Sequence, residues 1–508
     1  MILHRLSVKH LLAMGTALRL LLAPFTAMPF DVQGWYLLSD MSPMEVFRIY
    51  YVPVWPLLLI TLNAVGQALS LDLSSIPTSS LPHEIDLSPQ GVHMVTSLSF
   101  NLLVKLPLIA SDLAITFLIC KIVSTQAVQS AQLRAATVLW YLNPFAIGIS
   151  SVWGMYDTIA ALFVMSAVYL FTREKKNCLL GGMSLLMSAA TKLYALALLP
   201  ATGLYMRAKR RSICACVLLI SIVTATFIFL VFFGGAREFL AGLLFAAYPY
   251  PHNSMGLSYW TILLVTEIPA QIQLVISDAL MVLGAGIVTY WLARFTFNDP
   301  ETDLTVAYAS SIVIVYLTVR GVNPQWFIWS LPLLAVLVIN GRYERKLFWL
   351  SSMIGTVFLL TMFHILIYPL ATYYPTELEW LYGTLRPVRT MTEGQAHVLP
   401  GIRPGTVVLW LLGTSFSATM LLTLIEILFK PGARIIDSLS DKVNSSKPQQ
   451  RLVFSIRLEC AKTPLRKIRG ISGFAPFSLA HSSLGHRFRC LLGAMMRLLH
   501  LHLKTCAQ

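Results

Sequence analysis

The sequence predicts an all-α polytopic membrane protein, with about 11 to 13 transmembrane helices over residues 1–430 and a basic cytoplasmic tail over residues 431–508. Three observations carry that prediction. Of 508 residues, 56% are hydrophobic and only 12% charged, which is more apolar surface than one soluble core could bury, so lipid must take the rest. Apolar runs of spanning length recur through the first 430 residues. The formal charge of +15 is concentrated in residues 430–508, which hold 14 Lys/Arg against 3 acids, so the basicity belongs to the tail and argues against nucleic-acid binding by the body.

The runs start near Val8, Ile49, Leu98, Ala135, Met155, Leu179, Ile213, Gln271, Leu304, Gln325, Leu347 and Thr406. Val8 to Met28 has the look of a signal peptide, but Arg19 interrupts its apolar stretch and no small-residue cleavage site stands out, so it reads as a retained first helix. The seven cysteines are odd in number and fall in apolar or cytoplasmic stretches, from which neither a structural disulfide nor a metal site is expected.

Basic clusters orient the runs. Lys121 to Arg134, Arg173 to Lys176, Arg207 to Arg211, Arg342 to Lys346 and the tail are assigned to the cytoplasm, leaving Met28 to Arg48, Ser151 to Asp157, Gly234 to Ala270 and Tyr373 to Pro404 outside. Two places break simple alternation. Leu179 to Met206 has a basic cluster at each end, so it is expected to form a hairpin of two short helices turning near Thr191 and Lys192. Only one crossing fits between Asp31 outside and Lys121 inside, so Tyr50 to Ser70, interrupted early by Pro53 and Pro56, is laid along the outer interface while Leu98 to Ile122 spans.

An ionisable residue at membrane depth costs roughly 2.5 to 3.5 kcal/mol on insertion scales, so each needs a partner or a function. Asp31 follows the outer end of the first helix, where it is placed to act as a general base; the plainer reading is a solvated acid ending a helix. Asp112 lies too deep to reach the surface and is expected to pair with a basic or polar group on another helix. Asp157 opens a helix, where it offsets the helix dipole, and its outer position keeps it as a site residue. Lys192 offers a point charge for a phosphate, with pairing to Asp112 or Asp157 as the structural alternative. Arg320, Asn323 and Gln325 stand together at an outer turn suited to a phosphate or a sugar hydroxyl, though Gly321 and Pro324 also fit a simple tight turn. His252 sits in an aromatic outer loop with Tyr248, Tyr250, Asn253, Tyr259 and Trp260. The shared outer placement of these residues implies one cavity opening outward.

In order along the chain, ALRLLLAP with Asp31, YYVPVWPLLL, KLPLIASDLA, YLNPFAIGISSVWGMYDTIAALF, ATKLYALALLP and VNPQWFIWSLPLL resemble strings of the GT-C superfamily of polyprenyl-phosphate-sugar-dependent glycosyltransferases. The likeness spans roughly Ala17 to Leu334 and is nearest to archaeal and bacterial members and to the catalytic subunit of the first GPI mannosyltransferase. The resemblance implies a large first outer loop bearing a catalytic acid, matched by Asp31, then interfacial helices and a short hairpin around Lys192. Many relatives carry a paired acid there, whereas this chain reads Asp31-Val32-Gln33, which puts a divalent metal in doubt and leaves no cofactor required.

The activity so implied is inverting transfer of a sugar, with mannose the leading choice, from a polyprenyl or dolichyl phosphate donor to a lipid-linked or glycan acceptor on the outer or luminal face. Asp31 serves as base, Lys192 and Arg320 hold the phosphate, and Asn323, Gln325, His252 and Asp157 complete the site. The expected partners are these substrates and membrane lipid, with room for a small membrane subunit. The expected location is the plasma membrane of a prokaryote or the endoplasmic reticulum membrane of a eukaryote. A polytopic transporter or lipid flippase is the rival class, but no internal repeat supports it. The tail has stretches such as FRCLLGAMMRLLHLHL that suit a basic amphipathic helix on anionic lipid, beside others expected to be disordered.

Overall fold

The computed structural model describes residues 6–49, 52–78, 92–123, 129–173, 177–208, 300–318, 322–361, 366–373 and 404–429, with a few positions between 276 and 287. The chain divides into two units, Met1–Ala433 and Arg434–Gln508, and every described residue belongs to the first. The expected span from Ile213, all but those few positions of the one from Gln271, the His252 loop, Arg320, the outer stretch after Tyr373 and the basic tail lie outside the described residues.

The described chain is mostly helical. Helix α1 (Val8–Leu22) starts at Ser7, whose side chain accepts from the His10 amide. After an irregular stretch come α2 (Pro29–Ser39), α3 (Pro43–Ile49) and α4 (Val54–Ala68). Ser42 and Glu45 form a reciprocal capping box at the start of α3, with Glu45 Oε2 accepting from the Ser42 amide at 2.8 Å and Ser42 Oγ from the Glu45 amide at 3.3 Å. The 15 residues of α4 reach only about 22 Å, short of a hydrocarbon core of about 30 Å, and α4 lies against α2.

An all-α expectation needs one correction. Strands β1 (Ser75–Pro77) and β2 (Met94–Thr96) pair antiparallel, Ile76 opposite Val95, between α4 and α5. Three-residue strands set this far apart in the sequence leave no alternating pattern to read. Gln33 of α2 fixes the ribbon, its Oε1 accepting from the His93 amide at 2.6 Å and the Met94 amide at 3.0 Å.

Helix α5 (Leu98–Val123) follows. It and Val407–Leu428, within the last described helix, are long and apolar enough to cross a membrane, and these two mark the chain as a membrane protein. Ser130–Tyr141 and Pro144–Trp153 make a third span if taken together, bent by 54° at the break between them. The bend has a local cause: Pro144 removes an amide, and Asn143 caps the new helical start by accepting from the amides of Phe145 and Ala146. A π-helical stretch stands on each side, Thr137–Tyr141 and Gly148–Trp153.

Helix α6 (Gln129–Ala136) enters this bent pair and α7 (Pro144–Ile147) follows the break; α8 (Asp157–Arg173) then packs against both α5 and α9 (Cys178–Thr191). Helix α9 ends at Lys192, whose backbone is extended (φ −152°, ψ 127°), and the chain continues through a 3-10 stretch, Leu193–Leu198, into α10 (Leu199–Ala208). Cys178 at one end and Met206 at the other lie with sulfurs 3.7 Å apart, so the segment does double back, turning at Thr191 and Lys192.

The remaining helices are α11 (Pro300–Thr318), α12 (Leu331–Ile339), α13 (Arg345–Thr361), α14 (Tyr368–Tyr373) and α15 (Pro404–Phe429), with a 3-10 turn, Pro324–Trp329, ahead of α12. The run expected from Gln325 is thus a 3-10 turn feeding a short helix.

Three polar residues share one buried face of α5, because spacings of four and seven return to nearly the same helical angle: Asn101, Lys105 and Asp112. Asp112 meets Arg19 of α1, with Nε and Nη2 both 3.0 Å from Oδ2 and both side chains fully buried. Arg19 also donates to the Tyr141 carbonyl at 2.5 Å and lies over the Tyr141 ring, 4.2 Å from its centroid. The arginine that interrupts the first apolar run is therefore the partner that Asp112 requires.

Removing one member of a buried pair strands the other charge, at a cost of about 3 to 5 kcal/mol. Arg19→Met should therefore lower the thermal unfolding midpoint of the detergent-purified protein sharply. Arg19→Met combined with Asp112→Leu should recover most of the loss, and a double variant no more stable than the single one would show that the pair does more than balance charge.

Candidate active site

Asp31 stands in the first turn of α2, not in a loop, and it is half-buried. Its Oδ2 accepts from the Trp153 indole, Nε1 at 2.7 Å. Burial pushes its carboxyl above the usual range; the Trp153 hydrogen bond and the positive charge of Lys192 pull it back down, and the negative charge of Asp157 adds to the rise. Trp153 stands four residues before Asp157, whose carboxylate meets Lys192, so three of the residues singled out from the sequence fall in one region. The reading of Asp31 as an acid ending a helix in solvent does not hold.

Asp157, fully buried, opens α8 as expected and has a second role beyond the helix dipole. Its Oδ1 accepts from the Trp329 indole at 2.6 Å, and its Oδ2 lies 3.7 Å from Lys192 Nζ. Lys192 is thus paired with Asp157 and not with Asp112. It also lies over the Tyr156 ring, 4.4 Å from the centroid. Tyr156 in turn stacks on Trp55 of α4 at 5.0 Å and meets Trp35 of α2 edge-on at 6.4 Å. Aromatic rings thus join α2 and α4 to the cation.

Gln325 and Asn323 differ in environment. Gln325 is buried, and its Oε1 has no hydrogen-bond partner among the described residues. It sits in the same 3-10 turn as Trp329, four residues earlier, while Asn323 precedes that turn and is exposed. Trp329 is stacked between neighbours in the same region, with Tyr194 at 3.9 Å and Trp326 at 4.9 Å. Arg320 and His252 lie outside the described residues.

No protein-family model matches the chain, and no curated protein matches it significantly.

Sequence reasoning missed Trp153, Trp329 and Lys105. A signal existed for the indoles: a buried tryptophan must place its N–H on an acceptor, and Trp153 is one turn from Asp157 in VWGMYD. Lys105 is fully buried, and its Nζ donates to the carbonyls of Ala23 at 2.9 Å, Thr26, and Val152 at 3.2 Å. Those carbonyls leave no side-chain trace in a sequence. Gln33, two residues after Asp31, is engaged with the β-ribbon, and its amide oxygen supplies no charge. Among the described residues no three His, Cys, Asp or Glu side chains converge as a metal site.

Gly154 closes this corner. Its φ of 91° is left-handed, and a Cβ there would come within 2.7 Å of Lys105 Cε. Gly154→Ala should destabilise the protein by about 1 to 3 kcal/mol, combining backbone strain with displacement of the lysine stem. Thermal unfolding checks it, and an unchanged midpoint would show that the turn adapts.

Proposed function

We propose that the chain is a multi-pass membrane glycosyltransferase of the GT-C type, with about 11 to 13 spans. It moves a sugar, mannose in the leading reading, from a polyprenyl or dolichyl phosphate to a lipid-linked or glycan acceptor on the outer or luminal face. The observation that carries the reading is a carboxylate and an ammonium held on separate elements by neighbouring residues, Asp31 on α2 by the Trp153 indole and Lys192 at the tip of the α9–α10 hairpin by Asp157, four residues after Trp153. Their charges suit the two ends of a glycosyl transfer, where a hydroxyl loses a proton and a phosphate gains charge.

In this mechanism Oδ1 of Asp31 takes the proton of the acceptor hydroxyl, because Oδ2 is already held by Trp153. The hydroxyl oxygen bonds to the anomeric carbon as the bond from that carbon to the phosphate oxygen breaks, and the polyprenyl phosphate leaves as an anion with inversion at the sugar. Lys192 stabilises that anion by exchanging its loose 3.7 Å contact with Asp157 for the phosphate. Arg320 adds a second cation in this reading. A sugar hydroxyl would supply the partner that Gln325 Oε1 lacks. No cofactor is required, since fixed cations do what a divalent metal does in other transferases.

Purified protein given radiolabelled polyprenyl-phosphate mannose and a lipid extract should move label onto a new acceptor. Label that only changes membrane leaflet would favour a transporter or flippase instead. Asp31→Asn should abolish transfer while donor binding persists, and near-normal turnover would defeat the assignment. Because the base must be ionised, activity should fall as pH falls through the raised Asp31 pKa, at a higher pH than an ordinary carboxylate gives. Lys192→Met removes a charge that lowers this pKa, so the acid limb of kcat/KM should move to higher pH.

A further inference from the structure

Lys105 is a buried charge that the proposed mechanism leaves unused, and unlike Arg19 and Asp112, which pair with each other, it meets backbone carbonyls. An ammonium has three donors, and here they meet three carbonyls. Ala23 and Thr26 belong to the stretch that leads from α1 into α2, with Asp31 five residues beyond Thr26; Val152 immediately precedes Trp153. Lys105 therefore joins the segment that delivers the carboxylate to the segment that delivers its indole donor. Two weaker links run the same way, from the Thr26 hydroxyl to the Ser151 carbonyl at 3.3 Å and from the Met28 amide to the Trp153 carbonyl at 3.4 Å. Elsewhere the Ala23–Met28 stretch is tied to the 366–373 segment, by Ala27 to Leu366 at 2.7 Å and Leu370 to Phe25 at 3.1 Å, so it is anchored on both sides.

We infer that Lys105 is a positioning residue for Asp31, its ammonium holding the Ala23–Thr26 and Val152 backbones together so that the Trp153 indole meets the Asp31 carboxylate. The geometry requires the charge and the reach together. A neutral side chain of similar length would leave three inward-facing carbonyls without a donor, and the two segments would relax apart. The catalytic meaning of this role rests on Asp31 being the base, but the geometric claim does not.

The test reads that geometry without using activity. Folded full-length protein is treated with a carbodiimide and an amine, and modification of each carboxylate is followed by mass spectrometry in the parent, Lys105→Met, Lys105→Gln and Trp153→Phe. Lys105→Met should raise modification of Asp31 by about threefold or more, the scale of one weakened hydrogen bond, while exposed Asp72 is unchanged. Trp153→Phe should give the same rise, and combining the two should add little, because both remove one interaction. Lys105→Gln, which keeps two donors, should fall between parent and Lys105→Met. An even rise at all carboxylates, additive effects of the two substitutions, or loss of folded protein in both Lys105 variants would make Lys105 a general fold residue and overturn the inference. If sugar transfer is measured as well, Lys105→Met should lower kcat with donor KM little changed and move the acid limb upward. Absence of transfer in the parent protein would count against the glycosyltransferase reading alone.

Discussion

The ammonium of Lys105 is the constraint on which the candidate site depends. Taking a charge out of water costs several kcal/mol, and among the described residues no carboxylate pairs with it; carbonyl dipoles from three points of the chain offset the cost. Such an arrangement tolerates little movement, since drawing one carbonyl away leaves both donor and acceptor unmet in a place that water reaches poorly. The same helix carries Asp112 two turns further along on the same face, where Arg19 binds it. One face of α5 thus clasps α1, the stretch that follows α1, and the end of the bent π-helical segment.

Two carboxylates of the site are built alike. Each accepts from a tryptophan N–H, Asp31 from Trp153 and Asp157 from Trp329, and Lys192 pairs with Asp157. An indole donates one hydrogen bond without adding charge, so it orients a carboxylate and leaves its second oxygen available. Their surroundings set the two apart: Asp31 is half-buried, whereas Asp157 is fully enclosed and faces the ammonium directly. That difference suits a group that must meet a hydroxyl and another that holds a cation in place.

Much of this was legible because charge at membrane depth demands an account. Asp112 announced a partner, Lys192 at the centre of a twice-flanked apolar run announced a turn, and Asp157 marked the start of α8. The pairing of Asp31 with Trp153 was hidden, since neither residue is unusual alone and 122 positions separate them. Lys105 was hidden more deeply, because it lies near the start of a spanning helix, where a lysine ordinarily extends toward headgroups. Asn143 and Pro144 signal a break, but the π-helical turns beside it depend on packing, including the bond from Ser352 to Asn143 at 2.7 Å across the fold. The β-ribbon depends in the same way on Gln33, which seen in sequence is only the residue two places after an acid.

The α9–α10 hairpin has a mechanical consequence. Its ends meet at Cys178 and Met206 with basic residues just beyond each, so both ends suit the same headgroup layer. From there to the tip, the 14 residues of α9 extend about 21 Å, less than the roughly 30 Å of hydrocarbon. In the multi-pass arrangement proposed above, a hairpin anchored in this way would stop short of the opposite surface, and the bilayer beside it would be pinched or water would descend to the tip. Under the proposed function, a polyprenyl phosphate travelling in the far leaflet would meet, at such a dimple, a shortened path between its own headgroup level and the charge waiting below.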